Sequence, residues 1–143
     1  RKLLSSSSRF FDVGSGIGTN IVAVNCFSDA HATGIEKHPG IMQISNVMIR
    51  RLKRLGLIDS DRLNLVLGDA FDSRVVDLQQ YDVLYVYSPL GKWEIDIDQV
   101  VDLAKVGAVI VFNRLPVRNR EFIEPLEKIA GLFAFRKIAD IRR

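Results

Sequence analysis

The sequence has few cysteines and histidines, the residues that form disulfides and metal sites in small proteins. Its 143 residues include one cysteine, Cys26, which excludes an intramolecular disulfide and a zinc site built from cysteines. The two histidines, His31 and His38, stand apart from other ligand residues, which argues against a metal site. No apolar run approaches the roughly 18 residues that would indicate a membrane span. These absences predict a metal-free, cytoplasmic protein, because the cytosol keeps thiols reduced.

The composition indicates one folded domain. Hydrophobic residues make up 48% of the chain and charged residues 26%, which excludes intrinsic disorder. We therefore predict a single domain over residues 1–143, with residues 1–8, including Ser5–Ser8, as a flexible lead-in. The chain starts at Arg1 without a methionine, and its first strand pattern follows almost at once. We expect a domain trimmed from a longer protein.

Short apolar runs alternate with helical patterns along the chain. The predicted strands are Arg9–Val13, Ala30–Ile35, Arg62–Leu67, Tyr81–Tyr87 and Gly107–Phe112, and the predicted helices are Thr19–Phe27, Gly40–Leu55 and Ile95–Lys105. A further helix is predicted over Asn119–Ala130 and a further strand over Leu132–Ile138. Continuous apolar strands that alternate with helices predict a doubly wound α/β fold, with a mostly parallel sheet and helices on both faces.

The second predicted helix has two distinct sides. Ile41, Ile44, Met48, Leu52 and Leu55 recur at helical spacing and are predicted to face the core. The basic face on the other side consists of Arg50, Lys53 and Arg54. Such a face is either an ordinary solvated surface or a contact surface for RNA or protein. In the preceding helix, Cys26 is predicted to be a buried packing residue.

A glycine-rich loop follows the first predicted strand. Asp12-Val-Gly-Ser-Gly-Ile-Gly18 joins it to a helix, and such a loop lets a ligand approach the backbone and the free N–H groups of the helix N-terminus. The dinucleotide pattern G-x-G-x-x-G would need glycine at position 19 or 21, where Thr19 and Ile21 stand. The pyrophosphate pattern thus fails in both registers. An acid two residues before Gly14 instead suits the ammonium group of a sulfonium cofactor.

In this loop and three later segments, the chain resembles the class I S-adenosylmethionine-dependent methyltransferases. The segments are Asp12–Gly18, Gly34–Glu36, Gly68–Phe71 and Tyr81–Leu90, in the family's order and at its usual distances. The resemblance runs from about Phe10 to Phe112. It implies S-adenosylmethionine as cofactor, the strand order 3-2-1-4-5, and methyl transfer to an unidentified protein, RNA or small-molecule acceptor.

The resemblance also implies roles for individual residues. The glycine loop would surround the methionine part of the cofactor, Glu36 would hold the ribose hydroxyls, and Asp69 would accept the adenine amino group. The implied cofactor-binding residues are Asp12, Gly14, Ser15, Gly16, Gly18, Ile35, Glu36, Lys37, Asp69, Ala70 and Phe71. Each has an ordinary alternative. Glu36 could be a plain strand-end carboxylate and Asp69 a turn or cap residue, while Ile35 and Phe71 either sandwich the adenine or pack in the core.

The fourth segment bears on catalysis. Tyr87-Ser88-Pro89-Leu90 stands where amino-directed methyltransferases often have Asn/Asp-Pro-Pro-aromatic, and it retains Pro89 alone. The resemblance therefore does not extend to that apparatus for planar nitrogen acceptors. Methyl transfer from a sulfonium depends mainly on positioning. Tyr87, Ser88 and Asp12 are the candidate polar groups near the reacting methyl, and Tyr87 and Ser88 are the predicted catalytic residues. The alternative is a catalytically silent module that binds S-adenosylmethionine or a nicotinamide nucleotide.

Overall fold

One mixed sheet of seven strands runs through the computed structural model, which describes residues 4–87, 95–113, 115, 118, 120–126 and 131–140. The strands are β1 (Arg9–Val13), β2 (His31–Glu36), β3 (Leu63–Leu67), β4 (Val83–Val86), β5 (Val109–Phe112), β6 (Ile123–Pro125) and β7 (Phe133–Lys137). The helices are α1 (Thr19–Phe27), α2 (Pro39–Arg54) and α3 (Ile97–Leu103). The strand order is β3-β2-β1-β4-β5-β7-β6, which contains the predicted order 3-2-1-4-5.

The first five strands are parallel to one another, and each helix connects two of them. Parallel strands need such crossover connections, because the chain must return to the same end of the sheet. β7 pairs antiparallel with β5, and β6 pairs antiparallel with β7. The prediction of a doubly wound α/β fold with a mostly parallel sheet is confirmed.

The core lies on both faces of the sheet. Successive side chains of a strand point to opposite faces, so Phe10 and Phe11 of β1 belong to different clusters. Phe11 is fully buried in the cluster that includes Val100 of α3, whereas Phe10 lies in the cluster that includes Ile21 of α1. The helices therefore cover the sheet from two sides.

The C-terminal part departs from the sequence prediction. The helix predicted over Asn119–Ala130 is wrong, because a short 3₁₀ turn at Arg120–Phe122 leads directly into β6. Residues 119 and 127–130 lie outside the described residues. Pairing with β7 overrides the local helical pattern, and Pro125 fits an edge strand, where a missing N–H can face away from the ladder. The strand predicted over Leu132–Ile138 is confirmed as β7.

The inward side of helix α2 differs in part from the predicted one. It begins at Pro39, a residue suited to the first helical turn. Its fully buried residues are Met42 and Ser45, whereas Ile44 is 59% exposed. Ile41, Met48 and Leu52 of the predicted inward row are half-buried, so the prediction fails only for Ile44 and Leu55. The inward side also contains a polar residue, Ser45, which weakens its hydrophobic pattern. Arg50, Lys53 and Arg54 are exposed, and so is Leu55.

The structure also shows the environment of Cys26 and the conformation of Ser5–Ser8. Cys26 is exposed rather than buried, with its Sγ 3.5 Å from the carbonyl oxygen of Leu57. Ser5–Ser8 form a turn in which Ser8 N–H donates to the Ser5 carbonyl at 3.0 Å. The Ser8 carbonyl accepts from His31 N–H, also at 3.0 Å, which ties this turn to the start of β2.

No helix in the described part of the chain has the length and apolarity that crossing a bilayer requires. The described residues also contain no group of three or more histidine, cysteine or acidic side chains placed to hold a metal ion.

Candidate functional site

A cleft of about 1060 Å³ opens at the carboxyl ends of the parallel strands. It lies where the strand order reverses between β1 and β4, the position at which open α/β sheets bind ligands. The lining comes from the ends of β1 to β4 and the starts of α2 and α3. It comprises Val13, Gly14, Ile35, Glu36, Lys37, His38, Pro39, Gly40, Ile41, Ile44, Gly68, Asp69, Ala70, Phe71, Tyr87, Ile95, Asp96 and Gln99.

The cleft brings together most of the residues singled out from the sequence. The predicted site residues in its lining are Gly14, Ile35, Glu36, Lys37, Asp69, Ala70, Phe71 and Tyr87. Those outside the lining are Asp12, Ser15, Gly16 and Gly18. Ser88 lies outside the described residues.

The glycine loop has a conformation that explains its three glycines. Gly14, Gly16 and Gly18 have φ values of 71°, 56° and 86°, in the left-handed region that side chains disfavour. Gly18 then serves as the N-cap of α1. The alternating glycines thus allow a tight turn between β1 and α1, and Gly14 of this turn lines the cleft.

Ser15 fixes this loop to β2. Its backbone N–H donates to the Ile35 carbonyl at 2.8 Å. A Cβ placed on Gly34 would lie 2.7 Å from the Ser15 Cβ, so the loop can approach β2 this closely only because position 34 is glycine. Ser15 Oγ is the one buried side-chain nitrogen or oxygen in the described residues that has no hydrogen-bond partner.

Glu36 connects the glycine loop to the start of α2. Its Oε2 accepts the Gly16 N–H at 3.0 Å, and its Oε1 accepts the N–H of His38, the α2 N-cap, at 2.9 Å. The residue is only 6% exposed, yet it lines the cleft. A carboxylate offers about four lone-pair positions, and these two bonds occupy two of them. Glu36 therefore organises the site and retains acceptor capacity toward a ligand.

Asp12 lies in the middle of the sheet rather than in the cleft lining. It is 1% exposed, and its Oδ2 accepts from the Asn20 amide at 3.1 Å. Burial raises the pKa of the Asp12 carboxyl from its ordinary 3.8 to about 7. The Asn20 hydrogen bond lowers this pKa, and the charge of Glu36 raises it. Asp12 therefore changes protonation state near neutral pH.

The opposite wall of the cleft follows β3. Asp69 is exposed, and its Oδ1 accepts the Phe71 N–H at 2.9 Å, which is the turn geometry that the sequence offered as an alternative to adenine binding. Ile35 is buried in the core, and Phe71 packs against the same cluster. Both also line the cleft, so core packing does not prevent either from meeting a ligand.

The start of α3 is a part of the site that the sequence interpretation missed. Asp96 caps the helix by accepting from the N–H groups of Asp98 and Gln99, and it lines the cleft together with Ile95. The Ile95 Cδ1 lies 3.1 Å from where a Cβ on Gly14 would be. The sequence does carry a signal here, because an acid followed three residues later by glutamine is typical of a helix start.

Comparisons with known proteins identify the fold. No protein-family model matches the chain, and no curated protein matches it. An RNA methyltransferase from Salinibacter ruber, solved with S-adenosyl-L-homocysteine, has a TM-score of 0.67 at 16% identity, over 97% of this chain and 85% of that one. A SAM-dependent methyltransferase from Thiobacillus denitrificans, also solved with S-adenosyl-L-homocysteine, has a TM-score of 0.57 at 22% identity, over 80% and 46%.

This chain has the class I methyltransferase fold. That fold also occurs outside methyl transfer, because the [4+2]-cyclase SpnF matches with a TM-score of 0.59 at 21% identity, over 84% of this chain and 45% of that one. The class I methyltransferase fold therefore fixes the architecture and leaves the reaction to be argued from the site.

Proposed function

We propose that this chain is an S-adenosylmethionine-dependent methyltransferase domain, formed by residues 1–143, that acts on a protein, RNA or small-molecule acceptor. The cofactor would occupy the cleft above the glycine loop and supply a methyl group on an already activated carbon. The residues proposed to hold it are Asp12, Gly14, Ser15, Gly16, Gly18, Ile35, Glu36, Lys37, Asp69, Ala70 and Phe71.

The hydrogen bond from Gly16 N–H to Glu36 carries this proposal. In dinucleotide sites the N–H groups of the glycine loop face the pyrophosphate of the ligand. A carboxylate that accepts one of these N–H groups instead repels a pyrophosphate. The cleft lining includes three carboxylates, of Glu36, Asp69 and Asp96, beside one lysine, Lys37. This charge distribution favours a cofactor that carries a sulfonium and an ammonium over one that carries a diphosphate.

The chemistry of the remaining lining also fits this cofactor. The unused lone pairs of Glu36 suit ribose hydroxyls, and the apolar surfaces of Ile35 and Phe71 suit an adenine ring. An added Cβ at Gly16 would meet no atom within 4 Å, so there is open space beside the loop.

Tyr87 and Ser88 are the proposed catalytic groups, with positioning of the acceptor as their role. Tyr87 follows β4, lines the cleft and is 52% exposed, so an acceptor can reach it. The basic face of Arg50, Lys53 and Arg54 on α2 is the proposed contact surface for an RNA or protein acceptor. A cytoplasmic location is proposed from the single cysteine of the chain.

A thermal-shift panel with S-adenosylmethionine, S-adenosylhomocysteine, NAD and NADP tests the proposal. A ligand present at about 100 times its Kd adds about 2.7 kcal/mol to the free energy of unfolding. We expect the first two ligands to raise the melting temperature and the nicotinamide nucleotides to leave it unchanged. Stabilisation by NAD or NADP alone would support the nicotinamide-binding alternative. Binding of S-adenosylmethionine without methyl transfer to any RNA, protein or small-molecule acceptor would support the silent module.

A further inference from the structure

Gly16 is held through both of its backbone polar groups. Its N–H donates to Glu36 Oε2 at 3.0 Å, and its carbonyl accepts the Ser45 Oγ–H at 2.9 Å. Ser45 belongs to α2 and Glu36 ends β2, so two separate elements fix the central glycine of the loop. The φ of 56° at Gly16 is therefore maintained by contacts from outside the loop.

Ser45 is an unexpected residue at its position in α2. It is 0% exposed and lies in the inward row of the helix, where an apolar residue would ordinarily pack. A serine in the middle of a helix usually bonds to the carbonyl four residues earlier, and Ser45 Oγ does lie 3.1 Å from the Ile41 carbonyl. Alanine would form the helix better and would bury no polar group. The shorter hydrogen bond to Gly16 distinguishes Ser45 from a serine that bonds only within its own helix.

We infer that Ser45 is a positioning residue of the cofactor site, acting through Gly16. Its hydroxyl holds the Gly16 carbonyl, which keeps the Gly16 N–H directed at Glu36. Glu36 is thereby fixed with its remaining lone pairs available to the ligand. The identity of the ligand in this inference rests on the proposed function. The restraint that Ser45 places on the loop does not require a ligand.

Ser45→Ala, with Ser28→Ala as a matched control, tests the inference. Ser28 Oγ also donates to a helix carbonyl, that of Val24 at 2.7 Å, but the residue follows α1 and its hydroxyl does not bond to the glycine loop. We expect Ser45→Ala to bind S-adenosylhomocysteine about five- to tenfold more weakly by calorimetry, the equivalent of one lost hydrogen bond. Ser28→Ala should bind as the parent does. Ser45→Cys, which is somewhat larger than serine and donates weakly, should fall in between.

Amide hydrogen exchange without ligand provides a second measurement that does not depend on the proposed function. We expect faster exchange at Gly16 and Gly18 in Ser45→Ala, with the amides of β1 and β4 unchanged, and no such change in Ser28→Ala. If the parent failed to bind S-adenosylhomocysteine, the proposed function would be wrong. Amide exchange would still test whether Ser45 restrains the glycine loop. Unchanged exchange in the loop, or a uniform rise across the sheet, would overturn the positioning role of Ser45.

Discussion

Glu36 and Gly16 are 20 residues apart in the chain and are joined by a 3.0 Å hydrogen bond from the glycine N–H to the carboxylate. The other carboxylate oxygen accepts from His38 N–H at 2.9 Å. The end of β2, the glycine loop and the start of α2 are thus one hydrogen-bonded unit. An acid at this strand end therefore has a structural role beside any role in binding.

Replacement of Glu36 should affect both binding and stability. In Glu36→Ala the N–H groups of Gly16 and His38 lose their acceptor, so we expect a loss of about 1–3 kcal/mol in the free energy of unfolding. The affinity for S-adenosylhomocysteine should fall at least tenfold, because hydrogen bonds to a charged group contribute about 1.5–3 kcal/mol. Urea unfolding and calorimetric titration measure the two effects.

Glu124→Ala is the matched control for this experiment, since Glu124 is an exposed glutamate in a strand, β6. It should change stability by no more than about 0.5 kcal/mol and leave binding unaffected. If Glu36→Ala kept the affinity of the parent, the ribose would have to bind elsewhere.

Gly16→Val should abolish cofactor binding and leave a folded domain. Valine tolerates a φ of 56° poorly, so the loop must change conformation and lose its bond to Glu36. Gly56→Val is the control, because Gly56 has a φ of 67°, equally open surroundings, and a position outside the cleft lining. We expect both variants to lose on the order of 1–3 kcal/mol of stability. Equal S-adenosylhomocysteine affinities of the two variants would show that the loop is not part of the site.

Asp12 should make stability depend on pH. The folded protein keeps the Asp12 proton up to about pH 7, whereas the unfolded chain releases it near pH 3.8, so the folded state binds more protons in this window. The contribution of Asp12 to stability therefore declines as the pH rises from about 4 to about 7. Asn cannot ionise and keeps an acceptor for Asn20. Urea unfolding at several pH values should show Asp12→Asn gaining stability relative to the parent across this window, and a constant difference would contradict the assignment.

Asn25 should be important for stability and unimportant for binding. It is 3% exposed, and its amide both donates to the Asp59 carbonyl and accepts the Asp59 N–H, each at 2.8 Å. Asn25→Ala leaves the Asp59 N–H without its acceptor and the Asp59 carbonyl with only the 3.4 Å bond from Arg62 N–H, so we expect a loss of about 2 kcal/mol by urea unfolding. The exposed Asn46 of α2 provides the control, and Asn46→Ala should have little effect. A loss below about 0.5 kcal/mol would mean that water replaces the amide.

Local patterns were sufficient to predict most of the elements that form the site. The five parallel strands and the glycine loop carry strong signals, because buried strands are apolar along their whole length and the turn needs glycine at fixed positions. Asp96 could have been found from its capping pattern. The class of the fold and the place of the cleft follow from these features alone.

The features that the sequence left hidden depend on partners distant in the chain. β6 forms because β7 offers an antiparallel edge. Ser45 faces inward because a glycine carbonyl 29 residues earlier accepts its hydroxyl. The burial of Glu36 likewise follows from its bond to Gly16. Periodicity and spacing describe neighbours along the chain, so they cannot reveal such contacts.

Calorimetric titration of the purified chain with S-adenosylhomocysteine and, separately, with NADP tests the central claim most directly. The account predicts one S-adenosylhomocysteine site per chain and no heat of binding with NADP, because Glu36 holds the loop amide that a pyrophosphate would need. Saturable binding of NADP without binding of S-adenosylhomocysteine would contradict it.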